Sequence, residues 1–220
     1  MVKDRGKQPK PPKPTDRPAS PRSKKLGTAA PKRTVHAIIN EINQGDENSR
    51  KCSEEIRTAS DRGAALLAVC QIDQGLELSI ICRLHHASMK TREMLRKPNG
   101  AFSSFMGKID LAYAFGIYNE KYRDTLHIVR TIRNGFAHAA IPLTFEDDGI
   151  ISECRRVNNG VIFPSFPEKA YKAPEGYENH SFSRYIFVRS CLNAHDSLMS
   201  NARGYIDAIE KAGRIIIEEL

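Results

Sequence analysis

Between Leu66 and Leu84 the chain places an apolar side chain at every third or fourth position: Leu66, Val69, Ile72, Leu76, Ile80 and Leu84. Strands alternate with a period of two, so this stripe belongs on one face of a helix. One long helix is predicted from about Asp61 to Leu95, with Ser60 or Asp61 capping its first amides. Asp73 and Glu77 fall beside the stripe rather than opposite it.

The same spacing recurs along the chain. Val35, Ile38, Ile39 and Ile42 make a short amphipathic helix that Gly45-Asp46 is expected to break. After a turn at Pro98-Asn99-Gly100, a second core helix carries Phe102, Phe105, Met106, Ile109, Tyr113 and Gly116. A third starts near Glu120 and buries Tyr122, Leu126, Val129, Ile132 and Phe136, with Pro142 as its stop. Thr144 or Asp147 can cap a short helix through Ile150, Ile151 and Cys154. A long final helix runs from about Ser181 to Glu218, with His195 in its apolar stripe and a bend allowed at Arg203-Gly204. Residues 157–180 form an irregular loop in which Val161-Ile162-Phe163 could make a small strand. The expected fold is all-α, an antiparallel bundle of about five or six helices over residues 35–220.

Charge divides the chain unevenly. Residues 1–34 carry eleven bases and two acids, a net +9, and seven of the twelve prolines. The other 186 residues carry 23 bases and 24 acids, a net −1. The first segment has almost nothing apolar to bury and is expected to be a disordered, polyproline-like basic tail. It could attract nucleic acid through its charge, or dock in a proline-recognising groove. The folded part is not a basic nucleic-acid scaffold. No run of eighteen uninterrupted apolar residues occurs, so no membrane partner is expected. With no apolar leader and five dispersed cysteines lacking a C-x-x-C pair, a cytoplasmic location with reduced thiols is expected. No phosphate-cradling glycine loop or nucleophile elbow is present, and neither a cofactor nor a metal is expected. His85-His86 reads as a solvated pair, and Lys90, Arg92, Arg96 and Lys97 as a mostly solvated basic helix end.

The densest chemistry lies at the end of the third helix, where His127, Arg130, Arg133, Asn134 and His138 fall within three turns. Arg133 offers a planar fork of donors suited to phosphate, His138 can exchange a proton near neutral pH, and Asn134 can orient either. Such a set can cleave RNA without metal, histidine acting on the 2′-hydroxyl and arginine on the phosphorane charge. On an ideal helix, however, residues five apart point roughly 140° away from each other. Convergence therefore needs Gly135 to loosen the turn, or two subunits to supply halves. In the structural alternative, which is preferred, Arg133 pairs with Asp73 or Glu77 and His138 caps the helix carboxyl end.

Two runs carry a family resemblance. Phe105-Met-Gly-Lys108-Ile109-Asp-Leu-Ala112-Tyr113-Ala-Phe-Gly116 precedes Asp124-Thr-Leu126-His-Ile128-Val-Arg130-Thr-Ile132-Arg133-Asn134-Gly-Phe136-Ala137-His138. Upstream stands Asp61-Arg62-Gly63-Ala64-Ala65, and downstream Phe145-Glu-Asp-Asp148-Gly-Ile150 and Cys154. Together these resemble the mannitol operon repressor-like family over about residues 55–155. Phe115 stands where that family has leucine, and Met106-Gly107 where it more often has Ser-Ala. The resemblance implies an all-helical fold and a role in bacterial transcriptional regulation, with Asp61, Arg62, Lys108, Arg130 and Phe136 as structural motif residues beside Asp73, the acid that the structural alternative offers to Arg133. No helix-turn-helix is evident, so a regulatory protein partner is the expected route of action. A weaker resemblance overlaps it: Arg133-Asn134-(x)3-His138 is similar to the R-x4-H motif of HEPN domains. Those are helical bundles that often dimerise, and many are metal-independent ribonucleases. That alternative makes Arg133 and His138 catalytic and Asn134 auxiliary, and admits a homodimer.

Overall fold

The computed structural model describes residues 32–85 and 87–218. The expected tail therefore lies outside the described residues, apart from Lys32–Thr34, which already belong to a helix. Among the described residues there are seven α-helices and no strand. They are α1 (Lys32–Thr58), α2 (Asp61–Arg83), α3 (Met89–Arg96), α4 (Phe105–Ala114), α5 (Glu120–His138), α6 (Asp148–Asn158) and α7 (Phe182–Glu218), with a 3-10 turn at Glu168–Ala170. The expected all-helical bundle is the observed one.

Local chemistry explains most boundaries. Ser60, Ser88, Ser104 and Asn119 each accept a hydrogen bond from a first-turn amide, on Gly63, Thr91, Gly107 and Tyr122, at 3.0–3.2 Å. Each satisfies one of the donors that a helix leaves orphaned at its start. Gly116 ends α4 at φ +67°, a left-handed conformation that a side chain disfavours.

The core is organised around α2. Its buried residues include Ala64, Ala65, Ala68, Ile72, Leu76, Ile80 and Ile81, which lie on several faces rather than one. By length and hydropathy alone this is the one described helix that could cross a membrane, but 67% of that window is buried inside the fold. It packs against α1, α4, α5 and α7. A second knot of the core is aromatic, with Phe136 of α5 against Phe145 at 4.7 Å between centroids and Phe145 against Phe187 of α7 at 5.4 Å.

Several expected boundaries are corrected. The α1 helix does not break at Gly45-Asp46. The missing side chain of Gly45 serves packing instead, since a Cβ there would meet Met199 Cε at 3.0 Å and Leu78 Cδ1 at 3.2 Å. The single helix expected over Asp61–Leu95 is two helices. Ser88 starts α3 as an N-cap, and the guanidinium of Arg92, 1% exposed, turns back to donate to the carbonyl of His85 at 3.1 Å. The same guanidinium also reaches the Leu84 carbonyl at 3.5 Å, so it lies across the end of α2, where helix carbonyls need donors from outside the helix. Phe102 is buried ahead of α4 rather than within it. The third core helix ends at His138, before Pro142. Residues 161–163 form no strand; Asn158 instead pins the loop, donating to the Phe166 carbonyl at 2.9 Å and accepting from its amide at 3.0 Å. The α7 helix runs through Arg203-Gly204 without interruption.

Candidate functional site

Two clusters of charge decorate α2, one at its start and one at its middle. At the start, Asp61 accepts from Arg184 Nη1 at 2.6 Å through one carboxylate oxygen, and from the Phe145 amide at 2.9 Å through the other. The Arg184 side chain is 9% exposed and donates further to the carbonyls of Ile56, Arg57 and Ala59, which end α1. Arg62 donates to the carbonyls of Ala139 at 2.7 Å and Ile141 at 3.3 Å. Thus Arg62 meets the carboxyl end of α5, the role expected of His138, whose own side chain is exposed. This junction ties α1, α2, the α5–α6 connection and α7 together.

In the middle of α2, Asp73 and Glu77 project one turn apart. Lys108 of α4, its side chain 6% exposed, reaches Asp73 Oδ2 at 2.7 Å and Glu77 Oε2 at 3.2 Å. Arg96 of α3 donates to Glu77 Oε1 at 2.6 Å and to Glu41 Oε2 of α1 at 2.5 Å. The chain Glu41–Arg96–Glu77–Lys108–Asp73 links four helices. Burial opposes the Arg96 charge, but the hydrogen bonds and charges of Glu41 and Glu77 outweigh it and hold its pKa above the ordinary value. Arg92 and Arg96 are therefore not a solvated helix end. The expected partner for Asp73 or Glu77 was Arg133; the observed partner of both is Lys108. Lysine reaches them from α4, which packs directly across α2.

Beside this network lie two cavities that share Cys70 and Asp73. The larger, about 390 Å³, is lined by the amides Gln44, Asn48 and Gln74 and by Glu41, Glu77 and Arg96. The smaller, about 220 Å³, is lined by Val69, Phe102, Ser103, Phe105, Lys108 and Arg133. Together they make a trough along the middle of α2. The Cys70 thiol at their shared rim is pushed above its ordinary pKa by partial burial and then by the Asp73 carboxylate, which keeps it protonated near neutral pH.

The remaining predicted residues separate. Half-buried Arg133 lines the smaller cavity and donates through Nη1 to Asn134 Oδ1 at 3.0 Å. His138 is absent from the lining of either cavity. No loosening at Gly135 brings the two together: α5 remains α-helical through His138, and Ala139 N donates to the Gly135 carbonyl at 3.0 Å. Gly135 itself faces Leu143 and Ile150. Phe136 is fully buried, and Arg130 is half-buried with an Nε that has no partner among the described residues. His127 meets Asp110 of α4 at 3.1 Å. His85 is buried with its Nδ1 at 3.2 Å from the Cys82 carbonyl, while His86 lies outside the described residues. His195 is 1% exposed; its Nδ1 lies near Asp196 and Ser49, and its Nε2 is buried without a partner. Among the described residues no three His, Cys, Asp or Glu side chains are grouped to hold a metal ion. Sequence reasoning missed Glu41 and read Arg96 as solvated, because nothing in local spacing signals an ion pair across 55 residues.

No protein-family model matches the chain, and no curated protein matches it. Among solved structures it is similar to a chain in the X-ray structure of the MtlR–HPr complex from Escherichia coli. That likeness has 12% identity and a TM-score of 0.49, and covers 76% of this chain and 99% of that one.

Proposed function

We propose that the chain is a cytoplasmic, regulator-like helical module that works by binding a protein partner, as the sequence resemblance to the mannitol operon repressor-like family implies. The observation that carries this reading is the exposure of large apolar side chains on both flanks of α4. Lys108 and Ile109 are buried and lock this ten-residue helix onto α2, yet Met106, Tyr113 and Phe115 stand 47%, 37% and 38% exposed on it and its cap. Three large apolar side chains left partly exposed on a rigidly held element suit association with a second protein surface. Arg123, stacked over Tyr113 at 4.6 Å, holds that ring in place. The separation of Arg133 and His138 within one chain gives no such support to a ribonuclease.

The test is the variant Met106→Asp/Phe115→Asp, expressed in the native host. It is expected to accumulate as a folded protein and to reproduce the transcript profile of a deletion strain. A profile indistinguishable from that of the wild type would overturn the reading. So would RNA cleavage by the purified protein that disappears in Arg133→Ala and His138→Ala.

A further inference from the structure

We propose that the smaller cavity is an anion-binding site in which Arg133 grips a carboxylate or phosphoryl group. The argument starts from the geometry of one guanidinium. Arg133 spends Nη1 on Asn134 Oδ1, a bond between neighbours on one helix that fixes the plane of the fork. Nε and Nη2, the parallel pair of donors that binds an anion in two-pronged fashion, have no hydrogen-bond partner among the described residues. Among the described residues no carboxylate lies within ion-pair distance of Arg133 either: the pairs of Asp73 and Glu77 are made with Lys108 and Arg96.

The surroundings strengthen this charge. Val69, Phe102 and Phe105 form apolar walls of the cavity, and Phe102 is 4% exposed. A half-buried cation against such walls is screened less than one on an open surface, so an incoming anion gains more there. Of the charged groups that line the cavity, Arg133 and Lys108 are positive and Asp73 alone is negative. Lys108 is already shared between Asp73 Oδ2 and Glu77 Oε2, and Asp73 Oδ1 is buried without a partner among the described residues, so the charge free to meet an anion is that of Arg133 itself. Ser103 adds a hydroxyl able to donate to a second ligand oxygen. At about 220 Å³ the space accepts one compact head group and a few attached atoms.

Two sources supply this chemistry, a free small anion and an acidic or phosphorylated side chain of the partner proposed above. The site does not depend on that partner. The α4 surface can bind a protein while the cavity stays empty of anion, and the reverse also holds.

The experiment titrates the full-length protein with inorganic phosphate and, separately, with benzoate, at ionic strength held constant with sodium chloride. The readout is the NMR resonance of the Arg133 Nε–H group together with the midpoint of thermal unfolding. Saturable movement of that resonance and a rise in the midpoint are expected with at least one anion. Arg133→Gln, which keeps the basic leader and so keeps any binding there, is expected to weaken binding at least about tenfold. Arg133→Lys is expected to recover it in part. No saturable shift with either probe, or equal binding by Arg133→Gln, would overturn the proposal. If it holds, a peptide carrying a phosphoserine or a glutamate that competes with phosphate assigns the anion to a partner, and failure to compete assigns it to a free small molecule.

Discussion

The two ends of the charge decoration on α2 solve opposite problems. At its start, Arg184 and Arg62 donate to backbone carbonyls where α1 and α5 end, and Asp61 joins Arg184 to the Phe145 amide. At its middle, Asp73 and Glu77 meet a lysine and an arginine in a half-open trough, and Arg133 beside them keeps two donors in reserve. Similar residue types make both clusters. The first is closed because most of its partners are backbone groups, which stay neutral and fixed, with one ion pair between Asp61 and the buried Arg184; the second is open because its partners are side chains that also face a cavity. Charge that caps backbone belongs to the fold, whereas charge left over beside a cavity is available for a ligand.

The sharpest way to break this contrast is at Asp61. Asp61→Ala leaves the Arg184 guanidinium buried beside carbonyls but without its counter-charge, and strips the Phe145 amide of its acceptor. A loss of about 3 kcal/mol is expected, because the charge left behind keeps its desolvation cost. For a chain of this size that lowers the melting temperature by roughly 6–12 °C, measurable by calorimetry or circular dichroism. A fall of a degree or less would show that the junction is not a closed structural knot.

A smaller loss is expected at the trough. Lys108→Met keeps the length of the side chain but leaves Asp73 and Glu77 facing each other one turn apart. Asp73 is 38% exposed and Glu77 retains Arg96, so water and the arginine absorb part of the repulsion. The expected cost is about 1–2 kcal/mol, with roughly half regained in Lys108→Met/Asp73→Asn. Denaturant titration of the two variants and the wild type checks this. A double variant no better than the single one would mean that Lys108 acts by packing and not by charge.

How much of this was legible in the sequence follows from what each feature depends on. The helices with strong periodicity were readable: α5 starts at Glu120 and buries Leu126, Val129, Ile132 and Phe136, because its pattern and its Asn119 cap are local. Where tertiary packing overrides local signals, reading failed. Gly45 looks like a breaker until Met199 and Leu78 are placed against it. Ser88 looks like an interior position until Arg92 folds back onto the end of α2. At the site, Arg133 and Asp73 were both singled out, but the pair expected between them is made by Lys108 instead. Which of several cations reaches an acid depends on which helix crosses beside it, and that choice lies in the packing of α4, outside any single window of residues.

Acidity sharpens the contrast from the other side. His180 sits at the edge of the closed junction, where its Nε2 donates to the Arg57 carbonyl at 3.0 Å. Burial, and then the Arg184 charge, lower its pKa from the ordinary 6.5, with the Arg57 charge acting in the same direction; the bond to the Arg57 carbonyl and the Asp61 charge oppose them. The unfolded chain therefore binds a proton more readily than the folded one. This contribution to stability is complete above about pH 6.5 and is lost as pH falls through the lowered folded value. Unfolding free energies measured at pH 7.5 and pH 5 are expected to differ more for the wild type than for His180→Gln, whose amide can still donate to Arg57. Equal differences would mean that the imidazole is not held neutral.

The smallest effect is expected where the trough has charge to spare. Arg133→Gln removes one bond to Asn134 and no ion pair. The stability change should stay within about 0.5 kcal/mol, the range of surface substitutions that touch no special feature. The comparison with Asp61 is then direct. Both substitutions delete a charge from the surroundings of one helix, but only at Asp61 is an opposite charge left stranded. If Arg133→Gln costs as much as Asp61→Ala, the guanidinium is engaged in holding the fold together, and the distinction between closed and open charge on α2 fails. If it costs nothing, the fold has no use for a cation kept half out of water against apolar walls, and the reason for its presence has to be sought in what enters the cavity beside it.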